Sequence, residues 1–160
     1  MRFNEHGPIG VYFDEITLGT VWHTRGRTIT EADVVNFAAL TGDYNPMHTN
    51  AHYAEHSAFG KRVAHGMLSL SYAVGQMYQL GVLEQTIIAF RGLEAKFSLP
   101  VLIGDTLQVK GTVTDLKPMS RIGGGNVTVA FEIINQDGKV VQKGTWEFLM
   151  ANKPTEPSAS

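Results

Sequence analysis

The chain has 160 residues, of which 43% are hydrophobic and 18% are charged, and its formal net charge is −2. This length favours one domain with a buried core, and the lack of a basic stripe or tail argues against nucleic acid as a partner. The absence of cysteine excludes disulfides, thiolate zinc sites and cysteine nucleophiles.

The first predicted elements are a short strand and a capped helix. The strand lies in "VWHTRGRTI", residues 21–29. Thr30 and Asp33 then have the spacing of a capping box, in which each side chain accepts a hydrogen bond from the other residue's backbone N–H. Apolar residues follow at helical spacing, and Gly42 is typical of the left-handed residue just past a helix C-terminus. We therefore expect Asp43 to emerge directly after this helix.

The next six residues, Asp43-Tyr44-Asn45-Pro46-Met47-His48, form a candidate catalytic turn. Pro46 fixes its own backbone and moves Asn45 away from helical geometry, and an asparagine side chain can bond to the turn itself. Such a bend can hold the carboxylate of Asp43 and the imidazole of His48 around one water or one substrate proton, as acid/base catalysis requires. Each residue alone more often serves only a turn, but the combination favours function.

A second helix is predicted from about His65 to Leu80. Small or apolar side chains occur on nearly all of its sides, which is typical of a buried helix, and it is too short to span a bilayer. Gly66 lies in its first turn, where backbone N–H groups lack intrahelical acceptors and the helix dipole is positive. This N–H is therefore suited to binding a developing negative charge.

After this helix the hydrophobic period changes to two, which predicts four strands in residues 93–98, 105–115, 126–133 and 140–150. The turn signal "NQDGK" joins the last two. The glycine-rich "RIGGGN" also lies between strands, so it predicts a hairpin connection rather than a phosphate-binding loop, which would need a following helix. One buried helix and a curved antiparallel sheet predict an α+β domain, and the uncovered side of the helix favours a dimer.

Three segments, "FAALTGDYNPMH", "AFGKRVAHGML" and "FSLPVLIGDTLQV", closely resemble the MaoC-like dehydratase family, which includes the (R)-specific enoyl-CoA hydratases. The likeness runs from about Tyr12 to Leu149. The first motif is highly specific, whereas "PVLIGDTL" is shared with other hotdog-fold proteins. The resemblance implies a hotdog fold, in which a curved antiparallel sheet wraps a long apolar helix, and a homodimer or higher homo-oligomer.

The resemblance also implies syn addition of water to an enoyl-CoA, or the reverse dehydration, with no cofactor beyond the coenzyme A of the substrate. It assigns the water and the proton transfers to Asp43 and His48, a contact with that water to Asn45, and polarisation of the thioester carbonyl to the Gly66 N–H. Gly66→Ala should therefore lower turnover while leaving stability little changed or higher. Val74 stands where some members carry a serine, so no role of that serine is expected.

Further candidates concern substrate and metal binding. His65 either fixes the start of the second helix or is a satisfied core histidine. Tyr44, Met47, Phe59 and Met67 either line the acyl tunnel or fill the core, and Lys61 and Arg62 either meet the coenzyme A phosphates or are solvated. His52 and His56 have the spacing of a helical metal pair, but no third ligand is evident and no metal is predicted.

Two other functions are open for such a sequence: a hotdog acyl-CoA thioesterase, and a non-catalytic hotdog subunit that completes a partner's site. A thioesterase directs water at the thioester carbonyl, and the Asp-x-Asn-Pro-x-His turn is not its usual signature. A non-catalytic subunit is expected to have lost the aspartate or the histidine, and both are present. The acyl chain, the direction of reaction and the carrier, coenzyme A or acyl carrier protein, stay open.

The ends of the chain complete the expectations. The first residues lack the apolar core of a signal peptide and no run reaches the length of a membrane span, so we expect a cytoplasmic protein without a membrane partner. One domain is expected over 1–151. The Pro/Ser-rich tail, 152–160, is expected to be disordered.

Overall fold

The computed structural model of the protein describes residues 10–154 and begins with a 3₁₀ turn, Phe13–Glu15. Two short strands, β1 (Val21–His23) and β2 (Arg27–Thr28), stand where one strand was predicted. The predicted capping box is confirmed at the start of α1 (Glu31–Thr41). Gly42 ends this helix in the left-handed conformation, with φ of +77°, so the chain turns sharply into the candidate site.

Two single-turn helices follow α1, and each begins at an asparagine. Asn45 precedes α2 (Pro46–Thr49) and its side chain accepts the Met47 N–H. Asn50 precedes α3 (Ala51–Glu55) and accepts the Tyr53 N–H at 3.0 Å. Pro46 occupies the first helical position, where its missing N–H costs no helical hydrogen bond. The predicted rigid bend is therefore a capped helical turn.

The central helix, α4 (Gly66–Tyr78), begins at His65 as predicted and ends two residues earlier than expected. Leu68, Leu70, Ala73 and Met77 are buried against the sheet. An opposite stripe is exposed, and it consists of Met67, Ser71, Gly75 and Tyr78. The sheet thus covers one side of the helix, and the expectation of burial on all sides is wrong within one protomer.

The sheet is antiparallel and contains β3 (Ile87–Phe97), β4 (Thr106–Met119), β5 (Gly124–Ile134) and β6 (Val140–Ala151). The spatial order is β1-β4-β5-β6-β3, and β2 also pairs with β4. The two glycine-containing turns that join β4, β5 and β6 are the predicted hairpin connections.

The core lies between α4 and the concave face of the sheet. Its largest fully buried side chains include Trp146, Phe131 and Phe148. The rings of Phe131 and Trp146 stack at a centroid distance of 4.2 Å. No helix within residues 10–154 is long and apolar enough to cross a membrane.

Strand β3 forms an edge of the sheet because, among the strands of residues 10–154, it pairs only with β6. Its apolar side chains Ile88, Phe90, Leu93 and Phe97 are between 44% and 53% exposed. The period-two pattern predicts a strand correctly here. The inference that Leu93 and Phe97 lie on a buried face is wrong for the protomer, because both side chains are about half exposed at this edge of the sheet.

The first residues of the segment that was expected to be disordered, 152–160, make hydrogen bonds to the rest of the protein. The backbone N–H of Asn152 donates to Gly123, and that of Lys153 donates to the Asp14 carboxylate at 3.0 Å. These two residues therefore belong to the folded body. Residues 155–160, like residues 1–9, lie outside the described part of the chain.

Candidate active site

The turn after α1 is held by its own side chains. The carboxylate of Asp43 accepts the backbone N–H of Asn45 at 3.2 Å, and the Thr49 hydroxyl donates to the Tyr44 carbonyl at 3.0 Å. Asp43 is exposed in the protomer. One of its carboxylate oxygens is thus tied to the turn while the side chain is accessible to a water or a ligand.

His48 is the buried member of the predicted pair, with 8% of its surface exposed. Its Nδ1 lies 2.7 Å from the backbone carbonyl of Val63. A carbonyl oxygen only accepts hydrogen bonds, so Nδ1 must carry the hydrogen and Nε2 holds a lone pair when the ring is neutral. This contact gives His48 the tautomer and the orientation that a general base needs.

His65 lies beneath the pair. Its Nε2–H donates to the backbone carbonyl of Asp43 at 2.9 Å, and its ring stacks on His48 with centroids 3.9 Å apart. Only 2% of its surface is exposed, and it does not line the neighbouring cavity. His65 was also a candidate substrate-binding residue, and the cavity lining does not support that role. Its predicted role at the helix start fits, since His65 is the N-cap of α4.

These residues meet in space as the sequence predicts. One carboxylate oxygen of Asp43 and one ring nitrogen of each of His48 and His65 lie within 4.8 Å of one another. Because hydrogen bonds to water are about 2.8 Å long, a single water molecule can bond to Asp43 and His48 together. The separation of the two side chains thus leaves room for one water between them.

An apolar cavity of about 550 Å³ adjoins the pair. This volume is within the range of small-molecule sites, about 300–1,000 Å³. The cavity is lined by Met47, His48, Phe59, Val63, Ala64, Gly66, Met67, Phe97, Ser98, Leu99, Pro100, Val101 and Gln142. Met47, Phe59 and Met67 are therefore wall residues as predicted. Tyr44 is 60% exposed and is not among these lining residues.

The first turn of α4 faces the same cavity. Gly66 is the first residue of the helix, and neither its N–H nor that of Met67 donates to any residue within 10–154. From β6, the Gln142 amide donates to the Gly66 carbonyl at 3.0 Å, and Gln142 is 1% exposed. A buried amide thus fixes the turn that presents these two N–H groups.

Gln142 was not predicted as a site residue, and its position explains why. The pairing of β5 with β6 shifts register between Ile133, opposite Gln142, and Ile134, opposite Val140. Simple alternation along the strand therefore does not identify the inward face at this point. The sequence does contain one signal for a buried amide here, because Gln142 is a neutral polar residue directly after two valines.

Gly66 also permits a close approach that alanine would block. A Cβ atom at Gly66 would lie 2.8 Å from two ring atoms of Phe97. The structure therefore argues against the expectation that Gly66→Ala leaves stability unchanged or higher. Alanine has a higher helix propensity than glycine, but the displacement of the Phe97 ring costs free energy and opposes that gain.

The two basic candidates differ in their surroundings. The Arg62 guanidinium makes a two-point hydrogen bond to the Glu31 carboxylate on α1, with one contact of 2.8 Å. Arg62 is thus already paired with a carboxylate, and a phosphate would have to compete with Glu31 for it, so its contact with phosphates stays a prediction. Lys61 is exposed and forms no ion pair with any residue in the described range, so its contact with phosphates stays a prediction.

The segment "PVLIGDTL", residues 100–107, contributes one wall of the cavity. Asp105 is buried, and its carboxylate accepts the Leu102 N–H and the Gln136 amide, each at 2.8 Å. This turn sets Val101 where its carbonyl accepts the Ala64 N–H at 2.7 Å. The segment "PVLIGDTL" therefore holds the chain that leads into Gly66.

A second cluster of possible ligands lies on α3. One atom from each of His52, Glu55 and His56 lies within 4.8 Å of the other two, and all three residues are exposed. The structure therefore supplies, in Glu55, the third ligand that the sequence did not reveal.

Comparisons with known proteins agree with these features. The family model of the MaoC like domain matches residues 15–135. Protein MaoC of Klebsiella aerogenes is 44% identical over 106 residues, which span 66% of this chain and only 31% of that protein. The (R)-specific enoyl-CoA hydratase of Rhodospirillum rubrum is 38% identical over 107 residues, 67% of this chain and 72% of that enzyme.

Solved structures show the same fold. The monoamine oxidase regulatory protein from Archaeoglobus fulgidus superposes with a TM-score of 0.84 at 35% identity, covering 91% of this chain and 97% of that one. The curved antiparallel sheet around α4 is a hotdog fold. The predicted fold class is confirmed.

Proposed function

The chain belongs to the MaoC-like dehydratase family, and from this premise we propose that it catalyses the reversible syn hydration of a 2-enoyl-CoA to a 3-hydroxyacyl-CoA. One observation carries the proposal. The carboxylate of Asp43 and the imidazole of His48 lie within 4.8 Å of each other, and His48 and Gly66 share the lining of one apolar cavity.

The substrate lies with its acyl chain in the cavity and its thioester carbonyl at the start of α4. The carbonyl oxygen accepts the Gly66 N–H, at the positive end of a 13-residue helix. Negative charge gathers on this oxygen as an enolate forms, so the interaction strengthens toward the transition state. Gln142 holds the same turn through the Gly66 carbonyl and is therefore a positioning residue.

In hydration, Asp43 and His48 hold the water between them. The water oxygen forms a bond to C3 as the pair accepts one of its protons, and the C2–C3 π electrons move toward the thioester oxygen. A proton from the pair then bonds to C2, which restores the carbonyl and the starting protonation of the site. The water oxygen that bonds to C3 and the proton that bonds to C2 both come from the face of the substrate next to Asp43 and His48, which gives syn addition. Dehydration reverses each step.

Three neighbouring residues hold this pair in place. Asn45 donates its backbone N–H to the Asp43 carboxylate, and Val63 fixes the His48 tautomer. His65 bonds to the backbone of Asp43 and stacks on His48, so it ties the two reacting groups to the start of the oxyanion helix.

The hydratase names of relatives support an (R)-3-hydroxyacyl product, since the R. rubrum enzyme is named for that configuration. The test is incubation of the purified protein with a panel of enoyl-CoAs and separately with (R)- and (S)-3-hydroxyacyl-CoAs. The enoyl-thioester absorbance should fall when an enoyl-CoA is the substrate. Among the 3-hydroxyacyl-CoAs, only the (R) compounds should make it rise. Release of free coenzyme A would instead indicate a thioesterase, and inactivity with every chain length would indicate a non-catalytic subunit.

A further inference from the structure

We propose that His52, Glu55 and His56 form a binding site for a divalent first-row transition metal ion on the outer surface of α3. His52 and Glu55 lie on α3 and His56 is its C-cap residue, so the three have the spacing i, i+3 and i+4 that brings side chains to one face. They are all exposed, and one ligand atom of each lies within 4.8 Å of the other two. This site is separate from the Asp43 and His48 pair.

The three ligands are free to approach a metal. Donor atoms bound at about 2.1 Å around a tetrahedral ion are about 3.4 Å apart, so the exposed side chains need only small rotations to close on it. No described residue bonds to the Glu55 carboxylate or to either ring nitrogen of His52. Their entry into a metal site therefore breaks no existing hydrogen bond in residues 10–154.

His56 already has the arrangement of a metal ligand. Its Nδ1 lies 2.8 Å from the backbone carbonyl of His52, which only accepts, so Nδ1 carries the hydrogen and Nε2 has the free lone pair. Histidines that bind metals usually donate their other ring N–H to a carbonyl or carboxylate in this way. This hydrogen bond makes Nε2 the atom through which His56 would bind a metal.

The donor set selects the kind of ion. Two imidazoles and one carboxylate suit Zn²⁺ and its first-row neighbours, whereas Mg²⁺ and Ca²⁺ prefer oxygen ligands throughout. Three protein ligands leave the remaining coordination positions for water. We therefore expect Zn²⁺ to bind and Mg²⁺ not to compete.

A metal bound to these residues would cross-link the C-terminal turn of α3. This helix has only five residues, and the chain continues through Ser57, whose hydroxyl accepts the Phe59 N–H, to the cavity wall. Cross-linking His52 to His56 at one end of that segment should raise the melting temperature of the protein when Zn²⁺ is present.

The test is isothermal titration calorimetry of the untagged full chain with ZnCl₂, and in parallel with MgCl₂. We expect one Zn²⁺ per chain and no Mg²⁺ binding. His52→Asn, Glu55→Gln and His56→Asn should each weaken Zn²⁺ binding by at least ~10-fold, the lower end of the effect of disturbing a metal site. His23→Asn is the matched control, since His23 is also exposed but lies on β1.

His48→Gln separates this site from the catalytic pair, where Asp43, His48 and His65 also lie close together. Zn²⁺ affinity that is unchanged in His48→Gln and lost in His52→Asn supports the proposal. Absence of Zn²⁺ binding to the wild type would overturn it, as would loss of binding in His48→Gln with retention in His52→Asn. Binding is measured without substrate, so the outcome does not depend on the proposed hydratase activity.

Discussion

At the residue scale, the candidate site depends on backbone carbonyls as much as on side chains. Val63 sets the tautomer of His48, and the Asp43 carbonyl receives the His65 ring. These contacts orient the imidazoles without adding charge near them. Single substitutions can therefore remove a titratable group while leaving the backbone that holds it intact.

Asp43→Asn and His48→Gln should each lower kcat by at least ~100-fold, the lower end for acid/base catalysis. The fold should persist, because an asparagine oxygen can still accept the Asn45 N–H and a glutamine can still donate to Val63. The measurement is kcat for an enoyl-CoA, alongside a urea unfolding curve. The double variant should be scarcely slower than the slower single one, and near wild-type turnover in either folded single variant would refute the assignment.

Gly66→Ala should be tested in two backgrounds, because its Cβ would meet the Phe97 ring. In the wild-type background we expect losses of both stability and kcat/KM. In the Phe97→Leu background the steric loss of stability should disappear. The kcat/KM should still fall by the equivalent of about 3 kcal/mol, the scale of one oxyanion donor, because the added methyl group keeps the thioester carbonyl away from the N–H that alanine retains. If Gly66→Ala became fully active once Phe97 was shortened, Gly66 would have only a packing role.

At the scale of the elements, β2, α1 and α4 are joined by a network around Asp33. Its carboxylate completes the capping box with Thr30, accepts the Tyr72 hydroxyl at 2.5 Å and lies 3.3 Å from Arg27. The Arg27 guanidinium in turn lies 3.7 Å from the centre of the Tyr72 ring. Burial raises the pKa of Asp33, but the hydrogen bonds from Tyr72 and Thr30 and the charge of Arg27 outweigh it and hold this pKa below its usual range.

A carboxyl whose pKa is lower in the folded state stabilises the fold above its unfolded pKa, and this contribution disappears as the pH falls through the folded pKa. Asp33→Asn should therefore lower the free energy of unfolding at pH 7 by about 1.5–3 kcal/mol, the scale of hydrogen bonds to a charged group. The difference from the wild type should shrink below about pH 4, near the unfolded value for aspartate. Urea unfolding at pH 7 and pH 3 measures it.

Asp137→Asn is the control for this prediction, because Asp137 lies in the exposed β5–β6 turn. It should change stability little at either pH. A difference for Asp33→Asn that was the same at pH 7 and pH 3 would show that packing, rather than the charge of the carboxylate, gives Asp33 its effect.

The elements differ in how far their sequence determines them. Thr30, Asp33 and Gly42 are local signals, so the bounds of α1 could be predicted. The exposure of Leu93 could not, because period two identifies the faces of a strand and not its position in the sheet order. The engagement of Arg62 by Glu31, 31 residues away, and the placement of Gln142 under Gly66 likewise depend on contacts between distant segments.

At the scale of the whole molecule, the protomer exposes apolar surface along β3 and along one side of α4. An 11-residue edge strand with unpaired backbone groups and half-exposed Leu93 and Phe97 is unusual for a stable monomer. We propose that a second copy pairs with β3 and continues the sheet. Phe97 lines the cavity, so this partner would lie beside the substrate site.

Light scattering at micromolar concentration should therefore give at least twice the 17.5 kDa mass of the chain. Leu93→Lys should shift the protein toward the monomer, because it places a charge on the proposed interface. Leu40→Lys should not, since Leu40 is 83% exposed on α1, away from β3. A monodisperse species of monomer mass in the wild type would exclude the dimer.

The hydrogen bond from Gln142 to Gly66 spans 76 residues and has a consequence for biosynthesis. A growing chain releases the Asp43 turn and α4 from the ribosome long before β6, which carries the amide that fixes the first turn of α4. The meander β4–β5–β6 can form from neighbours in sequence, whereas β1 must wait for residues about 90 positions later, as Val21 opposite Thr112 illustrates. Nascent chains should therefore expose the apolar side of α4 until β6 has been synthesised, and we expect a chaperone to bind them during that interval.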